Sequence, residues 1–68
     1  MPEIFTVHVR YRTNSGCNTK TIRVFANSMD NAIDLASAKV RRQRGVIRID
    51  GGHVYSNADN RESLWKDS

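Results

Sequence analysis

Ser28 to Gly45, SMDNAIDLASAKVRRQRG, is the stretch whose reading decides the fold. Met29, Ala32, Ile33, Ala36 and Val40 recur at helical spacing and share one face, with Leu35 on its flank. Ser28 is a good N-cap, and Asp30 sits in the first turn, where the helix dipole favours negative charge. Lys39, Arg41, Arg42 and Arg44 crowd the last turns, where positive charge suits the dipole, and Gly45 is a natural stop. The spacing predicts one helix over Ser28–Arg44. Strand-like segments on either side need its apolar stripe to close a core.

Upstream, FTVHVRYR (Phe5–Arg12) alternates without a break, with Phe5, Val7, Val9 and Tyr11 on one side and Thr6, His8, Arg10 and Arg12 on the other. That is a half-buried strand. TNSGCN (Thr13–Asn18) is a polar turn, with Gly16 available for positive φ. Thr19–Ala26 is a second strand, with Ile22, Val24 and Ala26 on one face and Thr21, Arg23 and Phe25 on the other. The short connection implies an antiparallel hairpin.

Downstream, VIRID (Val46–Asp50) reads as a third strand with Ile47 and Ile49 facing the core. Gly51-Gly52 is a hairpin signal, which would return HVYS (His53–Ser56) as a fourth strand. Asn57–Asn60 is a further turn. The final stretch, 57–68, is then either a short terminal strand or a loose tail held by Leu64 and Trp65. The expected fold is a single two-layer α+β domain over 1–68. One helix covers one face of a four- or five-stranded antiparallel sheet, in the order β-β-α-β-β with a short final strand in the five-stranded case. The predicted core is Phe5, Val7, Val9, Tyr11, Ile22, Val24, Ala32, Ile33, Ala36, Val40, Ile47 and Ile49.

At 68 residues, with 38% hydrophobic and 26% charged side chains, the chain suits one small folded domain. A domain of this size buries only roughly 60% of the surface its unfolded chain exposes, so its stability is marginal or helped by self-association. No apolar run approaches the ~20 residues that span a bilayer, which predicts a soluble protein without a membrane anchor. The single Cys17 offers no intramolecular disulfide and no cysteine zinc site, in keeping with a reducing, intracellular setting. Net charge is +4, concentrated in the first two thirds: residues 46–68 carry three Lys/Arg against four Asp/Glu. A basic body with a mildly acidic tail suggests a polyanion or an acidic protein surface as partner.

One helix leaves the opposite sheet face without a second layer. The alternation puts His8, Arg10, Arg12, Arg23, Phe25, Val46 and Arg48 there, and continuing it adds His53 and Tyr55. Guanidinium groups bind phosphate or carboxylate bidentately, and aromatic rings offer stacking surface. The same arginines also suit a merely solvated face, where their stems cover neighbours and blunt sheet edges. The helix-end group Lys39, Arg41, Arg42 and Arg44 is the competing basic site, although dipole complementation also explains it.

No catalytic residue emerges. His8 and His53 lack the spacing of a metal helix motif and a cysteine partner, so neither a metal site nor a cofactor is expected. No G-x-S-x-G, P-loop or glycine-rich phosphate cradle occurs, which points to binding and not to turnover.

The run Ala26-Asn27-Ser28-Met29, then Ala32, then Leu35-Ala36-Ser37, then Gly45-Val46-Ile47-Arg48-Ile49-Asp50, with Trp65 near the end, resembles small phage-borne anti-CRISPR proteins of the type I-F class. The resemblance implies a non-enzymatic inhibitor acting in a bacterial cytoplasm. Its partner would be the CRISPR surveillance complex or a similar nucleoprotein, whose nucleic-acid engagement it blocks. DNA mimics of that kind are strongly acidic, so this basic chain would dock by its Arg and Lys side chains instead. A direct DNA- or RNA-binding module using the sheet face is the alternative. A structural subunit, such as a homodimer, is the third.

Overall fold

The structure, a computed structural model, describes residues 2–66. The Phe5–Arg12 alternation extends in both directions to form β1 (Glu3–Thr13), with Phe5, Val7, Val9 and Tyr11 all buried. A tight turn at Asn14 and Ser15 returns the chain as β2 (Gly16–Ala26), paired antiparallel with β1 from Thr13↔Gly16 to Glu3↔Ala26. Gly16 takes φ 123°, the positive value expected of it. The hydroxyl of Thr13 accepts from the Ser15 amide at 3.2 Å and donates to the Gly16 carbonyl at 3.2 Å. The turn is therefore tighter than the expected Thr13–Asn18 loop, and β2 starts before Thr19.

The helix, α1, spans Met29–Arg41. Ser28 caps it, its hydroxyl accepting from the Asn31 amide at 3.1 Å. Ala32, Ala36 and Val40 are buried, with Met29 and Ile33 partly buried beside them. Two expectations are corrected. Leu35 is exposed and Ser37 is buried in its place, so the stripe widens toward Ser37. The helix also stops short of Arg44: Arg42 is its C-cap, and Gly45, at φ 88°, shapes the turn beyond it.

The segment after the helix departs most from expectation. Gly51-Gly52 is not a hairpin turn; one strand, β3 (Arg48–Ser56), runs straight through it. Tyr11 pairs with Ile49 but Arg10 pairs with Gly51, so Asp50 is an extra residue in a β-bulge. That extra residue flips the parity of everything after it. Ile49 and Val54 both point into the core, while His53 and Tyr55 point away, as expected, through a bulge instead of a hairpin. Ile47, expected in the core, is 59% exposed, and Val46, expected on the open face, packs against the core. The cause is that β3 begins only at Arg48, so strand alternation does not reach back to either residue.

The turn at 57–60 leads into β4 (Arg61–Lys66), which pairs antiparallel with β3. Asn60 there adopts φ 57°, a conformation asparagine tolerates. The C-terminal stretch is thus a strand as far as Lys66; residues 67 and 68 of the expected tail lie outside the described residues. Trp65 packs against the core, whereas Leu64, expected to help hold the tail, is 83% exposed.

The sheet has the order β2-β1-β3-β4, every neighbouring pair antiparallel. β2 and β3 flank β1 and run the same way, so the chain between them must cross β1 on one face. α1 makes that crossing and packs on β1, β2 and β3. The fold is therefore α+β, in the order β-β-α-β-β. Ile22 and Ile33 lie at the margin of the core, and Ala26 and Val54 complete it. Among the described residues nothing covers the second face of the sheet, and no helix is long and apolar enough to cross a membrane.

Candidate functional site

The uncovered face is built from cross-strand rows, because residues directly opposite in an antiparallel sheet point the same way. Cys17, Arg12 and Arg48 form one row across β2, β1 and β3. Thr19, Arg10, Gly51 and Lys66 form the next, across all four strands. Thr21, His8, His53 and Leu64 follow, then Arg23, Thr6, Tyr55 and Glu62. Phe25 and Ile4 close that end of the face. The arrangement brings together His8, Arg10, Arg12, Arg23, Phe25, Arg48, His53 and Tyr55 on one surface, as the alternation predicts. Of the residues expected there, only Val46 is absent, turned toward the core.

Cations outnumber anions on this surface. Arg10, Arg12, Arg23, Arg48 and Lys66 all belong to it, and Arg12 stands directly opposite Arg48. Like charges directly opposite are mildly destabilising, which leaves a local excess of positive charge for an anion to neutralise. The two carboxylates nearby are already engaged. Asp50 Oδ1 accepts from Arg48 Nε at 3.0 Å, and Glu62 Oε2 meets His53 Nε2 at 2.9 Å. Arg12 Nη2 reaches the free, exposed Cys17 Sγ at 3.7 Å.

Two imidazoles sit at the centre. His8 and His53 stack with ring centroids 5.9 Å apart and planes 25° apart. Each is anchored outward, His8 Nδ1 to Thr21 Oγ1 at 2.9 Å and His53 to Glu62. Beside them lies a shallow groove of about 370 Å³, lined by Arg10, Gly51, Gly52 and Lys66 among others. The Tyr55 hydroxyl donates to Asn60 Oδ1.

Leu64 and Lys66 belong to this surface, although the sequence reading gives Leu64 a tail-anchoring role instead and does not single out Lys66. The signal was the alternation of RESLWK itself, which puts Glu62, Leu64 and Lys66 on one side and Trp65 on the other. It became legible only once β4 was known to be a strand.

The second basic group, Lys39, Arg41, Arg42 and Arg44, gathers at the C-terminal end of α1 and just beyond it. It belongs to the helix layer, so the structure does not join it to the sheet-face residues. Lys39 and Arg41 fall in the last turn, where they complement the helix dipole. Among the described residues, no group of three or more His, Cys, Asp or Glu side chains is placed to hold a metal ion. The bare face presents charge-assisted donors, a stacked ring pair and exposed apolar groups side by side.

No protein-family model, curated protein or solved structure matches this chain.

Proposed function

We propose that this chain is a non-enzymatic binding protein that docks through its bare sheet face onto the nucleic acid of a bacterial nucleoprotein complex and so blocks that complex from engaging its target. The observation that carries the reading is the excess of Arg and Lys on the uncovered face, where both carboxylates are already paired. Guanidinium groups on a flat surface match phosphate oxygens bidentately. The resemblance of Ala26–Asp50 to type I-F anti-CRISPR proteins is what suggests the class of complex in this proposal: a CRISPR surveillance complex or a similar assembly in the bacterial cytoplasm.

A direct DNA- or RNA-binding module is the second reading, favoured by the exposed Phe25 and Leu64 among the cations. Affinity capture from a bacterial lysate that contains a surveillance complex, with and without nuclease, separates the two. Recovery of the complex that survives nuclease and is reduced by mutation of the sheet-face arginines supports the first reading. Recovery of bare nucleic acid alone supports the second. Recovery of neither, with self-association only, rejects both and leaves a structural or dimerisation role.

A further inference from the structure

The geometry points to an unpaired nucleotide as the occupant of the groove over Gly51, so that this face selects single-stranded nucleic acid over duplex. The inference rests on the reading of the sheet face as a nucleic-acid contact and adds to it the form of the strand. A duplex offers a flat surface its phosphates and sugars; the bases are stacked inside and reached only through the grooves. Cations alone would serve such a partner. This face has a further component, because Leu64 is 83% exposed and Phe25 62% exposed, both pointing to the same side as the arginines. Apolar and ring surfaces of this kind gain nothing from a phosphate, but they gain by covering the face of an unstacked base.

The groove has the parts one nucleotide needs. Arg10 and Lys66 stand on either side of Gly51 in one cross-strand row, placed to hold a phosphate. The adjoining row, about 7 Å along the strands, supplies His8, His53 and the exposed Leu64 side chain to contact the base. The volume of about 370 Å³ is small and open to solvent on one side, which suits one nucleotide and not a helix. Asp50 also borders the groove, but its carboxylate is held by Arg48 at 3.0 Å and is not left facing the phosphate unneutralised. An acidic protein surface would also satisfy the cations and could cover Phe25 and Leu64, an outcome that equal binding to poly-glutamate would reveal.

Fluorescence anisotropy of the full chain with a labelled mixed-sequence single strand, as DNA and as RNA, and with the matching duplex tests this directly. The expected result is that either single strand binds at least about tenfold more tightly than the duplex. Leu64 borders the groove, so Leu64→Ala should weaken single-strand binding several-fold and leave duplex binding unchanged. Phe25→Ala, three cross-strand rows away, should weaken it only for strands long enough to cover the roughly 20 Å between them. Arg10→Ala with Lys66→Ala should weaken both. Equal affinity for single strand and duplex, or a preference untouched by Leu64→Ala in a variant shown by circular dichroism to be folded, overturns the single-strand inference and leaves nucleic-acid docking standing. Failure to bind any nucleic acid, or equal binding to poly-glutamate, overturns both.

Discussion

The backbone of Gly51 lies against the carbonyl oxygen of Trp65, in the space where any other residue would carry its Cβ. The Lys66 Cα would stand only 2.9 Å from that Cβ, and Gly51 itself adopts φ 133°. The glycine pair therefore serves strand contact, since β3 could not approach β4 at the bulge with a side chain there. Gly52 is constrained in the same way by the His8 carbonyl on the other side.

Gly51→Ala should consequently be among the most damaging single changes in the chain. It combines backbone strain with overpacking, each worth about 1–3 kcal/mol. Against a total stability of roughly 0.05–0.15 kcal/mol per residue, that sum can unfold the domain. Urea denaturation followed by circular dichroism is the check; a midpoint unchanged from the parent would show that β3 and β4 can separate at this point without cost.

Ile47 and Ile49 should behave oppositely although the alternation treats them alike. Ile47 is 59% exposed and Ile49 6%. Ile49→Ala is expected to cost about 2–4 kcal/mol, and Ile47→Ala to stay within about 0.5 kcal/mol of the parent. Thermal melts of the two variants side by side decide it. Equal destabilisation would place Ile47 in the core after all.

Ser28→Ala removes the side-chain acceptor for the Asn31 amide. The expected loss is about 1 kcal/mol, or roughly 4–8 °C in melting temperature for a domain of this size. Ser28→Asp should retain most of the stability, because it restores the cap and adds negative charge at the helix N-terminus. If the two variants melt together, the cap contributes nothing to this small fold.

The two basic surfaces can be separated by charge. Replacing Arg10, Arg12, Arg23 and Arg48 by Ala should weaken binding to nucleic acid. The slope of log K against log salt should fall by about one unit for each phosphate that is no longer neutralised. The melting temperature should change little, since these side chains lie off the core. Charge reversal at Lys39, Arg41, Arg42 and Arg44 should leave that slope nearly unchanged. A larger effect from the helix end would move the binding site to the helix layer.

Several features of this protein followed from the order of residues alone. The helix from its N-cap to Val40, the inward set Phe5, Val7, Val9 and Tyr11, and the outward set His8, Arg10, Arg12 and Arg23 are local consequences of side-chain period, readable without knowing any partner strand. What only the tertiary structure decided lies after the helix. A Gly-Gly pair is compatible both with a tight turn and with a close strand crossing, and the choice depends on the Trp65 carbonyl and the His8 carbonyl, contributed by residues distant in sequence. The bulge at Asp50 follows from that choice, and with it the parity that carries His53 and Tyr55 onto the basic face by a route the alternation did not foresee. Leu64 and Lys66 joined that face only because β4 found an edge of β3 to pair with. Register and bulges are set by contacts between strands, which no single segment contains.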